Sequence, residues 1–245
     1  MTTTPTSISF KRIQQLALPA IVAGIAEPVL SSTDAAVVGN IPEFGTESLA
    51  AVGVVGAFLS MLIWILAQTR SAISAIVSQN LGAGKLKDLH SFPAQAIYFN
   101  IFLSVIILSC TLPFIEGIFS LYNASGLILD YCVQYYSIRV WGFPLTLFTF
   151  AIFGIFRGLQ NTSWAMYISL VGGGLNILLD YALINGVDEY IEPMGVKGAA
   201  WASLIAQIVM FILCVFIYYS KSSFRLKLTS QISPYFKEML LIFLD

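Results

Sequence analysis

Residues 197–219 read KGAAWASLIAQIVMFILCVFIYY, and after Lys197 no charged side chain occurs before Lys221. A membrane-crossing helix needs ~20 mostly apolar residues, so this stretch can span a bilayer. It is too long and too continuous for a barrel strand, which alternates in short segments. Five stretches of the same kind precede it, at roughly 14–39, 48–79, 92–116, 131–156 and 163–185. A further apolar run begins near Tyr235 and continues to Asp245. The expected fold class is all-α integral membrane, with six transmembrane helices and the start of a seventh.

Composition agrees. Of 245 residues, 58% are hydrophobic and 10% charged, against about 25% charged in a soluble domain. The mean hydropathy is +0.84. A net charge of −1 offers no basic field for nucleic acid. Cys110, Cys132 and Cys214 are odd in number and lie in apolar runs, so neither a disulfide frame nor a metal site is expected. His90 is the one histidine, which argues against a zinc or haem enzyme. No phosphate-binding G-x-x-x-x-G-K-[ST] loop is present.

Loop charges predict orientation. One side holds Lys11, Arg12, Lys85, Lys87, Arg157, Lys221, Arg225, Lys227 and Lys237, and the other holds Lys197 alone. Arg70 and Arg139 fall inside spans. The N-terminus is therefore expected in the cytoplasm. Short loops predict antiparallel neighbours. Gly53, Gly56 and Ala57 in span two, with Gly172, Gly173 and Gly174 in span five, are expected to allow close helix approach.

Three acids lie within spans: Glu27, Asp34 and Asp180. A charge at mid-bilayer costs ~2.5–3.5 kcal/mol on insertion scales. Such groups are expected in a bundle interior or a watery cavity. At ~1.5 Å rise per residue, Asp34 falls ~10 Å outside the centre of span one and Asp180 ~9 Å outside that of span five. By the same rise Tyr136 falls ~10 Å and Ser203 ~8 Å outside the centres of spans four and six. Four polar groups from four helices thus share one level. Asn176 and Asp180 are four apart and share a helix face. Glu27 precedes Pro28, a kink-forming residue, and is either a second proton site or a partner for Arg139. Arg139 reads as a structural counter-ion, with a substrate-ligand role as the alternative. Arg70 is expected to snorkel towards the cytoplasm. Trp64, Phe148, Phe150 and Phe153 are aromatic candidates for a cavity wall.

Several stretches carry a family resemblance. They are Leu18-Pro19-Ala20 with Ser32-Thr33-Asp34-Ala35-Ala36-Val37-Val38-Gly39, Leu49-Ala50-Ala51-Val52-Gly53, and Gln79-Asn80-Leu81-Gly82-Ala83-Gly84. Later come Gly142-Phe143-Pro144, Arg157-Gly158-Leu159-Gln160-Asn161-Thr162, Asn176-x-x-x-Asp180 and Gly195-Val196-Lys197-Gly198-Ala199-Ala200-Trp201-Ala202. In this order they resemble multidrug and toxic compound extrusion (MATE) transporters. The Asn-x-x-x-Asp pair resembles the DinF-like branch, generally regarded as proton-coupled. The resemblance implies a twelve-helix, two-lobe transporter of which this chain is the N-terminal lobe. Residues 1–225 would form that six-helix lobe. Residues 226–245 would be a cytoplasmic linker and a truncated helix seven, with the C-terminal lobe missing. It further implies that Asp34 is the cation-site aspartate. Its polar partners would be Asn176, Asp180, Tyr136 or the neighbouring Tyr135, and Ser203. The Gly186–Gly195 loop is longer than the family pattern suggests, which bears on Ser203.

The function expected is antiport of small organic, cationic or aromatic compounds against protons, with sodium as the alternative ion. No cofactor and no catalysed reaction are expected, and a bacterial inner (plasma) membrane is the expected place. Three rivals remain. A lipid-linked sugar flippase of the same superfamily would want a cationic cavity, whereas the spans hold three acids and two arginines. A membrane-embedded transferase would need a His-Asp or Asp-rich motif at a membrane face. A non-transporting structural subunit would tolerate amides in place of the acids.

The charge bias generates the first test. In an otherwise cysteine-free protein, Glu43→Cys or Asp188→Cys should react with an impermeant thiol reagent added outside whole cells. Labelling of Lys87→Cys, with neither of the others labelled, would reverse the orientation.

Overall fold

The structure is a computed structural model and describes residues 9–41, 44–187, 189–222 and 234–244. Nine α-helices occupy them: α1 Phe10–Gly39, α2 Gly45–Gly82, α3 Phe92–Thr111, α4 Ile115–Leu121, α5 Gly126–Arg139, α6 Phe143–Gly158, α7 Ser163–Asn185, α8 Val196–Lys221 and α9 Pro234–Leu244. Five continuous stretches are long and apolar enough to cross a membrane: Gly45–Gly82, Phe92–Leu121, Gly126–Gly158, Ser163–Asn185 and Val196–Lys221. The expected count was six. In α1, which runs over Phe10–Gly39, the apolar stretch among the described residues is Ile13–Ile25.

Two spans are bent where proline removes a backbone donor. Pro113 sits in a 3-10 turn over Leu112–Phe114 that joins α3 to α4. Pro144 opens α6, just after a 3-10 turn over Val140–Gly142 that ends α5. Both spans also extend beyond the expected limits of 116 and 131, to Leu121 and from Gly126. Glu116 and Asp130 lie on α4 and α5. An acid at the wet end of a span does not stop the helix.

The packing builds one lobe. The long α7 lies along α8 and α1, while α2 packs on α6, α5 and α1. Two apolar clusters form its core. One holds Val38, Val55, Phe58, Phe119, Tyr136, Leu147, Ile184 and Ala199. The other holds Ile73, Phe92, Phe99, Ile152, Phe156, Ile168, Cys214 and Tyr218. On α8 the first cluster takes residues up to Ala200 and the second begins at Cys214. The polar positions between them face inwards. Many large apolar side chains point outwards, among them Trp64, Leu121 and Leu178, as a lipid-facing surface requires. Thr69 Oγ1 donates to Asn100 Oδ1 at 2.9 Å, tying α2 to α3.

The α7–α8 loop is tethered despite its length. Val187 N–H donates to the Ile191 carbonyl, and Met194 N–H donates to that of Leu183. Gly186 adopts φ +78°, and a Cβ there would fall 2.6 Å from the Ile191 oxygen. The loop thus closes on itself and leaves α8 in register with α7.

Glycines mediate close approach at some of the expected places and at others besides. A Cβ at Gly53, Gly56 or Gly174 would meet nothing within 4 Å, whereas Gly172 faces the Met210 side chain. Tight contacts with backbone lie between α8 and α7, where a Cβ at Gly198 would fall 2.5 Å from the Leu183 carbonyl, and between α6 and α2. A Cβ at Gly154 would fall 2.8 Å from the Arg70 carbonyl, and one at Gly158 would fall 2.9 Å from that of Ser74. Gly158→Ala should therefore push the two helices apart. A loss of about 1–3 kcal/mol is expected from such overpacking, read as a lower thermal midpoint in detergent. Gly53→Ala should stay within about 0.5 kcal/mol. Equal midpoints for the two variants would refute the contact.

Candidate coupling and substrate cavity

A cavity of about 210 Å³ opens on the inner face of the lobe. The helices around it each supply residues to its wall. From α1 come Ala23 and Asp34, and from α2 come Gly56, Ser60 and Arg70. The bent fourth span gives Tyr135, Arg139, Thr149, Phe150 and Phe153. From α7 and α8 come Asn176, Ser203, Gln207 and Met210. The wall is mixed: hydroxyls, amides and charges stand beside aromatic rings and a methionine, a composition suited to small organic molecules.

Asp34, Asn176, Asp180 and Ser203 meet at one place. All four are buried, Asp180 fully. Asn176 Nδ2 donates to Ser203 Oγ at 3.4 Å. The carboxyl groups of Asp34 and Asp180 are neighbours across α1 and α7. Neither oxygen of Asp180, nor Oδ1 of Asp34, has a hydrogen-bond donor among the described residues. Unsatisfied buried polar atoms are uncommon in folded proteins, and two such carboxyls are placed to hold a proton or a cation between them.

The two neighbouring tyrosines divide. Tyr135 lines the cavity beside Ser203, Arg139 and both carboxyls. Tyr136 turns away: its hydroxyl donates to Thr111 Oγ1 at 2.8 Å, and its ring packs on Phe58 and Phe119. Adjacent residues on a helix are ~100° apart, so only one of them can face the cavity. Depth alone could not choose between them.

The two arginines both face inwards. Arg139 sits with Cζ 6.0 Å from the Tyr135 ring. Arg70 does not snorkel from a helix end: α2 continues to Gly82, and its guanidinium lies 5.2 Å from the Phe150 ring. The side chain of Glu27 lies outside the described residues. Phe150 and Phe153 line the cavity, Phe148 packs on Phe211, and Trp64 is exposed on the outside of the lobe. Gln207, Thr149 and Ser60 were not anticipated. Gln207 had a visible signal, since it follows Ser203 by one turn in an otherwise apolar span. Among the described residues no cluster of histidine, cysteine or acids could hold a metal ion by composition.

The MatE family model matches residues 19–182, most of the chain. The chain belongs to the MatE family. Among curated MatE relatives, a probable multidrug resistance protein NorM of Thermotoga maritima is 25% identical over 219 residues, 89% of this chain and 46% of that one. The DNA damage-inducible protein F of Escherichia coli is 28% identical over 199 residues, 81% of this chain and 42% of that one. A MOP superfamily transporter from Pyrococcus furiosus superposes with a TM-score of 0.84 at 24% identity, over 96% of this chain and 51% of that one. That likeness shows the fold, half of a two-lobe MatE architecture. The chain thus spans less than half the length of these curated MatE relatives.

The tyrosine geometry generates a test. Tyr135→Phe should impair transport by the full-length protein at least severalfold, while Tyr136→Phe should transport normally and cost about 1 kcal/mol of stability from its lost bond to Thr111. Transport assays on equally expressed variants decide it, and the opposite ranking would exchange the two roles.

Proposed function

We propose that this chain is one lobe of a secondary active transporter that expels small organic cations and aromatic compounds by alternating access. Protons are the coupling ion, with sodium as the alternative. The observation that carries this reading is a pair of neighbouring carboxyls: Asp34 of α1, on the wall of an aromatic cavity, and Asp180 of α7, buried behind it. Ions and cationic substrates compete because they meet the same negative charge. A proton taken up between the carboxyls removes charge and weakens the hold on a cation. One charge crossing ~100 mV supplies about 2.3 kcal/mol, roughly a fifty-fold concentration ratio.

A six-helix lobe follows if all of α1 spans the membrane along with the five apolar stretches. A second lobe would complete the site, since drug-sized pockets run to about 300–1,000 Å³ and this cavity is smaller. The names of the bacterial relatives, together with the spans, support a multi-pass protein of the inner membrane. The charge bias supports a cytoplasmic N-terminus. Residues 1–225 then form the lobe, and 226–245 the link to helix seven. The flippase alternative wants a net cationic cavity, whereas here two carboxyls oppose two guanidiniums.

The experiment is substrate efflux by the full-length protein in cells, with proton and sodium gradients collapsed in turn. Asp34→Asn keeps shape and hydrogen bonding but cannot ionise. It should insert and fold yet lose ion-driven efflux, and Asp180→Asn should be damaging to a lesser degree. Normal coupled efflux by well-expressed Asp34→Asn would overturn the mechanism and leave Asp34 as a brace between α1 and α7.

A further inference from the structure

Asp34 lines the cavity, whereas Asp180 is fully buried behind it. One turn further along α7, on the same helix face, is Ile184, which is 2% exposed. The helix ends at the next residue, Asn185. This is the end that the charge bias places outside.

Ile184 belongs to one apolar cluster with Val37 and Val38 of α1 and with Val196, Ala199 and Ala200 of α8. Ile41, just past α1, packs against the same cluster. Backbone closes the layer further. A Cβ at Gly198 would fall 2.5 Å from the Leu183 oxygen and 2.9 Å from the Ile184 nitrogen, so the first turn of α8 lies directly on the last turn of α7. Carbonyls at a helix end lack helical partners. Here Leu183 accepts from Met194 N–H at 2.9 Å, and Ile184 accepts from Gly195 N–H at 3.2 Å. A buried water needs several polar partners, and apolar space stays dry. The carbonyls that a water would use in this layer are already bonded.

The titratable groups acting on Asp180 are Asp34 of α1 and Arg139 of α5, and Tyr135 stands with them on the cavity wall. Those of the loop, Glu189 and Glu192, are exposed, as is Lys197 at the start of α8. Asp180 therefore has polar neighbours towards the cavity and an apolar layer towards the loop.

We propose that Ile184 and Val196, held by the Gly186–Gly195 loop, form a proton seal that closes Asp180 to the outer medium and leaves Asp34 and the cavity as its route of proton exchange. Both are positioning residues that act through Asp180. This inference rests on the proposed proton coupling and names the residues that keep it tight. An exchanger depends on such a layer. If water reached Asp180 from the loop side while the cavity faced the cytoplasm, a proton would pass from that water to a carboxylate oxygen and on to water in the cavity. No substrate would move, and the gradient would be dissipated.

The test uses the full-length protein in liposomes that hold a pH-sensitive dye, with potassium and valinomycin setting the potential. Proton flux is measured without substrate and then with ethidium. The wild type and Ile184→Leu should be tight without substrate, and ethidium should raise their flux. Ile184→Ser should raise the substrate-free flux about tenfold, or ~1.4 kcal/mol off its barrier, and Val196→Ser should raise it by a smaller factor. Adding Asp180→Asn to Ile184→Ser should return the flux to the wild-type level, which a general loss of packing would not do. Val196→Ser carries the test alone if Ile184→Ser fails to reach the membrane. Substrate-free flux within twofold of wild type in the serine variants overturns the seal, and so does a leak that survives Asp180→Asn. If ethidium still drives proton flux in those proteins, the exchange function stands without the seal. No ethidium-dependent proton flux in the wild type overturns the proton coupling and the seal together.

Discussion

A carboxyl on α1 facing a carboxyl on α7, inside a lobe built almost wholly of apolar helices, is the constraint to which the rest answers. Neither oxygen of Asp180, nor Oδ1 of Asp34, has a donor among the described residues. Removing such groups from water is costly unless something compensates. The fold meets this by placing Asp34 on a cavity wall with Tyr135, Asn176, Ser203 and Arg139, while Asp180 lies buried beside it. The apolar clusters lie on either side, so the polar level sits where the helices need not close.

That arrangement requires uneven packing. α6 and α2 approach closely through Gly154 and Gly158, which holds one wall of the lobe shut. Gly56, by contrast, faces open space on the cavity lining. Identical residues thus serve opposite ends. A glycine against a neighbouring backbone draws two helices together, and a glycine on a free wall makes room. The turn over Val140–Gly142 contributes to both, because it redirects the span between Arg139 and the α6 wall bearing Phe150 and Phe153.

The spans were legible in the sequence because hydropathy over ~20 residues is a sum, and sums survive local error. The meeting of Asp34, Asn176, Asp180 and Ser203 was legible for a related reason. Depth follows from counting residues, and i, i+4 spacing fixes a shared face. Azimuth was not legible. Tyr135 and Tyr136 have the same depth within one residue, and only the packing of Phe58, Phe119 and Thr111 decides which of them turns inwards. Arg70 was misplaced for the same reason, since only packing decides that its guanidinium turns in against the Phe150 ring. The proline turns were visible as residues but not as angles, since a proline in a span can either kink it or start a new helix.

Charge ties the cavity to the acids beside it. Arg70 and Arg139 stand on the wall with Asp34, and Asp180 lies buried next to Asp34. A single proton gained or lost by the two carboxyls changes this group by a full unit of charge, in surroundings too apolar to screen it well. The helices need not touch for such a change to be felt across the cavity, because the field of an unscreened charge reaches the guanidiniums of α2 and α5 directly.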